Sequence, residues 1–363
     1  MTRANADGGG KPDAAITRGR DYDETPLIVT WEVTQACSLA CDHCRADAVE
    51  QRHPDELSTA EGKRLIDQVA AFDPAPVLVF SGGDPLERPD LFDLLDYATE
   101  RVPTAVTPAP TAALDRETVT RFADLGVRRM ALSLDGATPA RHDGFRGESG
   151  SFAAVQQAAA WAADVDLDVQ VNTTVTATTA PELSAIADRV AELGAVMWEV
   201  FFLVPTGRGA TLKGLDPARA ESVLQWLHRH AREAPYRVIT VEAPHYRRIA
   251  AAERDGPARV GSTRAGRGFV FVSHTGEVYP SGFLPVAAGD VRETPLPEVY
   301  READLLCALR DADGFDGPCG RCPHRRQCGG SRSRAYAVTG DPLASDPLCE
   351  WVAEGIPRAA ESD

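Results

Sequence analysis

The sequence predicts an α/β fold built on a parallel sheet. Between residues 27 and 232, six apolar runs typical of strands are each followed by a stretch with helical spacing. A strand, a helix and a further strand form the unit from which parallel sheets are built. A hydrophobic content of 43% can supply a full core, and 363 residues allow more than one domain.

The elements of this pattern can be placed in order along the chain. Strands are predicted at residues 27–33, 76–80, 104–107, 129–136, 168–175 and 198–204. The helices that follow them are predicted at residues 59–72, 90–101, 115–125, 152–163, 181–193 and 217–232. The first helix has the clearest start, because Ser58 and Glu61 match a capping box.

The pattern changes beyond the sixth helix. Residues 234–261 read as a linker with a short helix. Two short apolar runs joined by a turn at residues 274–276 predict a β-hairpin over residues 268–279. A further helix is predicted near residues 296–310.

Three cysteines, Cys37, Cys41 and Cys44, lie within eight residues directly after the first predicted strand. Three thiolates can hold three irons of a 4Fe–4S cluster, which leaves the fourth iron open to a small chelating molecule. Structural zinc is an alternative, although it usually has four ligands in paired C-x2-C spacing. A disulfide is a weaker alternative, because three is an odd number and no export signal precedes the loop.

The spacing C-x3-C-x2-C after a first strand resembles that of the radical S-adenosylmethionine (SAM) superfamily. The resemblance implies a partial (β/α)6 TIM-like barrel with a small C-terminal iron–sulfur domain that contains the β-hairpin. It also implies that the open iron binds the amino and carboxylate groups of SAM. Reduction through the cluster then releases a 5′-deoxyadenosyl radical, which abstracts hydrogen from a substrate.

The resemblance assigns SAM contacts to residues near strand ends, where the ligand sites of barrels lie. His43 takes the place of an aromatic residue beside the adenine. Gly82, Gly83 and Asp84 match a Gly-Gly-Glu-Pro stretch that meets the methionine amino group, with Asp84 in place of Glu. The remaining predicted contacts, to the methionine carboxylate, the ribose and the adenine, are Ser133, Asp135, Arg146, Asn172, Thr174 and Val204.

A second group of cysteines lies near the C-terminus and consists of Cys319, Cys322, Cys328 and Cys349. From spacing alone, zinc and an iron–sulfur cluster are about equally well supported. The group resembles the SPASM extension of radical SAM enzymes, which normally has seven cysteines. Ser281 and Arg332 stand at two of the missing positions, and residues 260–266 contain no cysteine where the third is expected. The resemblance therefore implies one auxiliary 4Fe–4S cluster bound by all four thiols, and Cys307 is predicted to be a buried helix residue.

Within the superfamily, residues 328–336 and 339–342 look most like the haem-biosynthesis branch. That resemblance implies a tetrapyrrole side chain as substrate, modified by oxidative decarboxylation or side-chain removal. A peptide maturase of the mycofactocin or PQQ type is an alternative, and a non-catalytic iron–sulfur protein is an alternative of another class. Arg208, Arg332 and Arg334 are candidate partners for substrate carboxylates, or else ordinary surface charges.

Composition and the ends of the chain set further expectations. The predicted organisation is a tail at 1–23, a barrel at 24–233, a linker at 234–261, a SPASM/twitch-like domain at 262–356 and a tail at 357–363. The first tail lacks the apolar middle of a signal peptide, and no apolar run is long enough to span a bilayer, so we expect a cytoplasmic protein. A net charge of −16 argues against nucleic acid as a partner. The implied radical chemistry requires a low-potential electron donor such as ferredoxin or flavodoxin.

Overall fold

A computed structural model describes residues 20–252 and 263–354. The strands are β1 (Ile28–Glu32), β2 (Val77–Ser81), β3 (Thr104–Val106), β4 (Arg129–Ser133), β5 (Asp168–Val175), β6 (Met197–Phe202), β7 (Arg237–Val241), β8 (Arg264–Ala265), β9 (Gly268–Val272), β10 (Glu277–Tyr279) and β11 (Gly289–Asp290). The C-terminal predicted tail and most of the N-terminal one lie outside the described residues.

Helices connect and cover these strands. They are α1 (Thr59–Ala70), α2 (Leu91–Thr99), α3 (Arg116–Asp124), α4 (Pro139–Arg146), α5 (Ser151–Asp164), α6 (Leu183–Glu192), α7 (Pro217–His230), α8 (His245–Ala252), α9 (Leu296–Glu302), α10 (Asp304–Arg310), α11 (Gly317–Arg321), α12 (Arg332–Thr339) and α13 (Glu350–Ala353). The capping box at the start of α1 is present, with the Ser58 and Glu61 side chains each bonded to the other's backbone N–H. In the described part of the chain, no helix is long and apolar enough to cross a bilayer.

The strands form one sheet in the order β11-β10-β9-β1-β2-β3-β4-β5-β6-β7, with β8 beside β9. All pairings from β1 to β7 are parallel, as the strand–helix alternation predicts. The predicted hairpin is present, and its first strand, β9, pairs in parallel with the free edge of β1. The hairpin therefore continues the barrel sheet, and it covers an edge that would otherwise expose unpaired backbone groups.

The prediction of a linker at residues 234–261 is wrong for Arg237–Val241, which form the seventh barrel strand. This strand pairs with β6 from Met197↔Arg237 to Phe201↔Val241. Its sequence is rich in β-branched residues, which favour strands. Six strand–helix units precede this run, so the sequence pattern places it in the connection that follows them. Residues 253–261 of the predicted linker lie outside the described part.

Two further expectations need correction near the C-terminus. The helix predicted near residues 296–310 is divided into α9 and α10 by Ala303, whose backbone is extended. The prediction that Cys307 is buried is wrong, because this residue is exposed. Leu306 and Leu309 form the buried face of α10, and Cys307 lies on the opposite side, where its thiol donates to the Arg301 carbonyl at 3.1 Å.

The two faces of the curved sheet have different surroundings because side chains alternate along each strand. Val29 and Trp31 of β1 lie in the main hydrophobic core, so Glu32 projects from the other, inner face. The same alternation on the neighbouring strands determines which side chains line the inner face. Its members near the carboxyl ends of the strands include Glu32, Ser81, Ser133, Asn172, Thr174, Phe201, Phe271 and Tyr279.

Candidate active site and cysteine centres

The first cysteine group lies on a loop at the carboxyl end of β1. Cys37 and Cys41 are buried, and Cys44 is partly exposed. Backbone N–H groups of Leu39 and Ala48 donate to the Cys37 and Cys44 sulfurs at 3.3 and 3.5 Å. Burial raises the pKa of Cys37 to about 11, with smaller contributions from Asp84, Cys41 and Cys44. The three thiols pack with Leu39 in one small cluster. A bound metal group offsets the rise in pKa, because coordination deprotonates a thiol.

The Gly-Gly-Asp stretch after β2 packs on the backbone that leads into this loop. Gly83 and Asp84 donate their N–H groups to the carbonyls of Thr34 and Ala36, at 2.9 and 2.7 Å. A Cβ on Gly82 would lie 2.5 Å from the Thr34 oxygen, and one on Gly83 would lie 2.3 Å from the Ala36 oxygen. Glycine is therefore required here by the approach of two protein backbones.

The Asp84 carboxylate is buried and accepts several hydrogen bonds. Its Oδ1 accepts from the N–H groups of Leu86 and Ala109 at 3.1 and 3.2 Å, and its Oδ2 accepts from the Thr111 hydroxyl at 3.1 Å. Burial raises the pKa of Asp84 to about 6, although these hydrogen bonds oppose the rise. The carboxylate thus ties the loop after β3 to the Gly-Gly-Asp stretch beneath the cysteine loop.

A buried ion pair connects four of the predicted site residues. Asp135 accepts from the Thr174 N–H at 2.6 Å and lies 3.1 Å from Arg146 Nε. Arg146 Nη1 donates in turn to the Cys41 sulfur at 3.5 Å. Burial disfavours ionisation of Asp135, but Arg146 and His43 outweigh it and lower the pKa of this carboxyl. The ends of β4 and β5 are thereby joined to the cysteine loop.

His43 stacks on Phe145, with the ring centroids 4.6 Å apart and the planes at 12°. Burial lowers its pKa to about 4, so the imidazole is neutral near pH 7. Its Nδ1 is buried and has no hydrogen-bond partner within the described residues. Sequence reasoning missed Phe145, because α4, the helix that carries it, lies between the elements that periodicity detects.

The other predicted SAM contacts lie on neighbouring strands. Ser133 and Asn172 are paired in register on the inner face, and Asn172 Oδ1 accepts from Gln170 at 2.8 Å. Val204 is buried just beyond β6, and its carbonyl accepts from the Thr206 N–H at 2.8 Å. The structure therefore gathers the predicted contacts along β4, β5 and β6, on the half of the inner face nearest His43.

Arg208 braces the cysteine loop. Its backbone N–H donates to the Cys44 carbonyl at 3.0 Å. Its side chain donates from Nε to the Cys41 carbonyl at 2.9 Å and from Nη1 to the Ala48 carbonyl at 3.1 Å. These bonds direct Nε and Nη1 at protein backbone, and Nη2 is buried without a hydrogen-bond partner among the described residues. Arg208 therefore presents no exposed donor from these atoms to a substrate carboxylate.

The prediction that Arg332 and Arg334 form an open carboxylate site is wrong, because both side chains are buried and engaged. Arg332 donates to the carbonyls of Pro342 and Ala344 at 3.1 and 2.8 Å. Arg334 forms a buried ion pair with Asp346 at 3.1 Å and donates to three backbone carbonyls. Burial opposes ionisation of Asp346, but Arg334 and His245 outweigh it and hold its pKa far below the usual range.

The second cysteine group, Cys319, Cys322, Cys328 and Cys349, lines one small cavity. His245, Arg248 and Trp351 contribute to the same walls. Burial raises the pKa of Cys328 to about 12, so charge compensation is needed for it to act as a thiolate. Across residues 20–252 and 263–354, no three His, Cys, Asp or Glu side chains converge on a single-ion site. The four thiols supply a complete ligand set for either an iron–sulfur cluster or a zinc ion.

A hydroxyl cluster that sequence reasoning missed lies at the carboxyl end of β7. Glu242 Oε1 accepts from Ser281 and Ser333 at 3.1 and 2.8 Å, and Oε2 accepts from Ser331 at 2.5 Å. Ser281 is one of the positions where the SPASM pattern has a cysteine. Hydrogen bonds to one carboxylate thus connect the segment after the hairpin, the start of α12 and the last barrel strand.

Comparisons with known proteins agree with this arrangement. Residues 31–188 match the Radical SAM superfamily. The AdoMet-dependent heme synthase of Methanosarcina barkeri is 38% identical over 89% of this chain and 96% of its own length. The mycofactocin maturase MftC of Mycobacterium ulcerans is 32% identical over 90% of this chain and 88% of its own.

Among solved structures, Streptococcus suis SuiB bound to S-adenosylmethionine superposes with a TM-score of 0.71. It is 17% identical, and the match covers 90% of this chain and 78% of SuiB, so it supports the fold alone. The full-length similarity to the heme synthase, the superfamily match and the barrel with its cysteine loop lead to one conclusion. The chain is an enzyme of the radical SAM superfamily, whose members use SAM and a 4Fe–4S cluster.

Proposed function

We propose that this enzyme acts in haem biosynthesis and oxidatively decarboxylates propionate side chains of an iron tetrapyrrole. The observation that carries the proposal is the similarity to AdoMet-dependent heme synthase, which extends over 96% of that relative's length. Loss of carbon dioxide and two hydrogens from a propionate leaves a vinyl group, which is a side chain of haem. A radical that abstracts hydrogen from the methylene attached to the ring starts this change. The carboxylate then leaves as carbon dioxide, and the electron that is released passes to a one-electron acceptor such as an oxidised iron–sulfur cluster.

The proposal gives each part of the barrel mouth a role. The cluster and SAM, when bound, together supply the radical. Cys37, Cys41 and Cys44 hold the cluster. His43 and the residues along β4–β6 hold SAM, and Gly82, Gly83 and Asp84 support the cysteine loop and one side of the SAM site. Arg146, fixed by Asp135, places a positive charge beside the Cys41 sulfur, which stabilises the thiolate.

We also propose that Cys319, Cys322, Cys328 and Cys349 bind one auxiliary 4Fe–4S cluster. The support is the cavity that all four thiols line. Four protein ligands leave no open iron, so the substrate must be held by other groups. A low-potential protein such as ferredoxin or flavodoxin is the proposed electron donor. Oxygen-sensitive clusters need a reducing compartment, so we propose a cytoplasmic location.

Peptide maturation is the second candidate, favoured by the 32% identity to the mycofactocin maturase. Both activities begin with the same hydrogen abstraction, so the barrel does not distinguish them. The two candidates differ in what the mouth of the barrel must hold. A tetrapyrrole needs a broad apolar surface and cationic groups for its carboxylates, whereas a peptide needs partners for its backbone.

The test is anaerobic turnover of iron coproporphyrin III, a tetrapyrrole whose acidic side chains are all propionates, with SAM and dithionite. We expect 5′-deoxyadenosine together with a tetrapyrrole that has lost carbon dioxide and hydrogen, identified by mass spectrometry. The Cys37/Cys41/Cys44 triple Ala variant should form neither product. Uncoupled SAM cleavage without any change in the tetrapyrrole, combined with modification of a precursor peptide, would favour the second candidate.

A further inference from the structure

One arginine at the barrel mouth differs from those discussed above. Arg45 directly follows the predicted cluster ligand Cys44, and its guanidinium lies over the Phe271 ring, 4.4 Å from the centroid. Its Nη1 is paired with Glu32 Oε2 at 2.9 Å. The other oxygen of Glu32 bonds to His274 Nδ1 at 2.8 Å. A buried carboxylate at the end of β1 therefore orients both a guanidinium and an imidazole.

The remaining donors of Arg45 are available. Within the described part of the chain, Glu32 is the only acceptor that the Arg45 side chain contacts. No nitrogen of the Arg45 side chain is fully buried without a hydrogen-bond partner, and the side chain is 19% exposed. Gly282 packs closely against the Arg45 side chain, since a Cβ there would lie 2.9 Å from Nε and 3.0 Å from the guanidinium carbon. Because part of the side chain is exposed, the guanidinium can still receive an acceptor from outside the protein.

The neighbouring arginines cannot serve in this way. Arg146 is bonded to Asp135 and Cys41, and Arg208 to the cysteine-loop backbone. Arg332 and Arg334 are buried in the C-terminal segment. Arg45 is the arginine among these five that presents donors at the mouth of the barrel.

The surroundings of Arg45 suit a flat, acidic ligand. Glu32, Phe271 and Tyr279 project from the inner face of β1, β9 and β10, whereas the predicted SAM contacts project from β4, β5 and β6. The Phe271 and Tyr279 rings lie 6.3 Å apart. Phe271 is buried beneath the guanidinium and Tyr279 is partly exposed, so this half of the inner face offers a fixed cation beside a tyrosine ring.

We propose that Arg45 binds a carboxylate of the substrate, with Glu32 as the residue that positions its guanidinium. The inference rests on the proposed function and names the group that anchors the acidic side chains of the tetrapyrrole. Two parallel N–H···O bonds from one edge of a guanidinium match a carboxylate. Because Arg45 follows Cys44, the bound carboxylate lies close to the cluster loop.

The experiment is an anaerobic absorbance titration of the cluster-loaded enzyme with iron coproporphyrin III and with its tetramethyl ester. The native enzyme should bind the acid at least about tenfold more tightly than the ester, as expected for a charge-assisted pair. Arg45→Gln should weaken acid binding by a similar factor and leave ester binding unchanged, and Arg45→Lys should lie between. Arg116→Gln is the control, since Arg116 pairs with Asp164 at 2.9 Å on the outer helices.

The possible outcomes distinguish failure of the proposed function from failure of the role assigned to Arg45. If neither porphyrin binds the native enzyme, the proposed function fails, and the role of Arg45 fails with it. If both porphyrins bind equally well, or Arg45→Gln weakens both equally, only the role of Arg45 is overturned. If Arg45→Gln loses its cluster, Arg45→Lys decides the role of this residue: acid binding by that variant as tight as by the native enzyme would overturn it.

Discussion

At the scale of single residues, burial and partners decide what each arginine does. Arg334 and Asp346 are 5% and 0% exposed, and their ion pair lies where water cannot replace either partner. Arg116 and Asp164 form a pair of similar length, but both side chains are more than half exposed. Sequence spacing does not distinguish the buried Arg334 from the exposed Arg116, because the difference depends on contacts between segments that are distant in the chain.

The buried pair leads to a prediction for Arg334→Gln. This change leaves the Asp346 carboxylate buried without its guanidinium partner, so it should lower the free energy of unfolding by about 3–5 kcal/mol. Denaturant unfolding under anaerobic conditions measures the effect. Arg116→Gln, the matched change in an exposed pair, should have a much smaller effect. Equal effects from the two variants would contradict the structural role of Arg334.

Glu199, a residue of β6, gives a pH-dependent prediction. Burial raises its pKa from 4.5 to about 7, although Arg129, Arg237 and Gln170 oppose the rise. The folded protein keeps a proton that the unfolded chain releases, so stability falls as the pH rises from about 4.5 to about 7. Glu199→Gln removes this loss of stability. Between about pH 4.5 and about pH 7, the free energy of unfolding of the variant should therefore rise, relative to that of the native protein, by up to about 3 kcal/mol.

Urea unfolding at about pH 5 and about pH 8 measures the change, with the exposed Glu148→Gln as control. The control should show the same difference from the native protein at both values. A difference for Glu199→Gln that stays constant with pH would show that Glu199 titrates as an ordinary carboxyl.

At the scale of elements, the cysteine loop depends on backbone packing against the Gly-Gly-Asp stretch. Gly82→Ala or Gly83→Ala places a Cβ within 2.3–2.5 Å of a backbone oxygen of residues 34–36. The backbone must move, which displaces the neighbouring Cys37. We expect either variant to lose most of the iron of the first site and its SAM cleavage while the circular dichroism spectrum is retained.

Gly144→Ala is the matched control for this prediction. Gly144 lies within α4, and a Cβ there would have no neighbour within 4 Å. Alanine also favours helix over glycine by about 1 kcal/mol, so iron content should be unchanged and stability should rise slightly. Full iron content in the Gly83→Ala variant would show that the close approach to Ala36 can relax.

The strands and helices also show which parts of the fold can be predicted from the sequence. The first six strands and their helices are predictable, because periodicity within each segment determines them. The pairing of β9 with β1, from Ile28↔Phe269 to Trp31↔Val272, joins segments that are distant in sequence. β7 follows the six predicted strand–helix units, and its pairing with β6 makes it part of the sheet. Long-range pairing therefore decides the parts of the sheet that local patterns leave open.

At the scale of the whole molecule, one sheet extends from the C-terminal hairpin through all seven barrel strands. This continuity places the cofactor residues and the Arg45 surface on one inner face. The cysteines and the Gly-Gly-Asp stretch were identifiable because their spacing is local. Arg45, Phe145 and the Glu242 hydroxyl cluster were not, because each acquires its role only when β1, β7, α4 and the C-terminal segment meet.

The last prediction concerns the number of clusters in the folded molecule. With one cluster on Cys37, Cys41 and Cys44 and one on the C-terminal group, each anaerobically purified chain should contain about eight irons and eight sulfides. The first-site triple Ala variant should retain about four of each. Cys307→Ala, which changes an exposed cysteine outside both groups, should retain all eight.

The C-terminal site should also support folding, because its four ligands come from segments that few apolar contacts join. Replacing Cys319, Cys322, Cys328 and Cys349 by Ala should leave about four irons, still allow uncoupled SAM cleavage and make residues 317–354 sensitive to protease. Metal analysis of the Cys37/Cys41/Cys44 triple Ala variant distinguishes a 4Fe–4S cluster from a zinc ion at the C-terminal cysteines. Zinc with no sulfide would show a mononuclear site and overturn the auxiliary cluster, whereas four irons with sulfide would establish it.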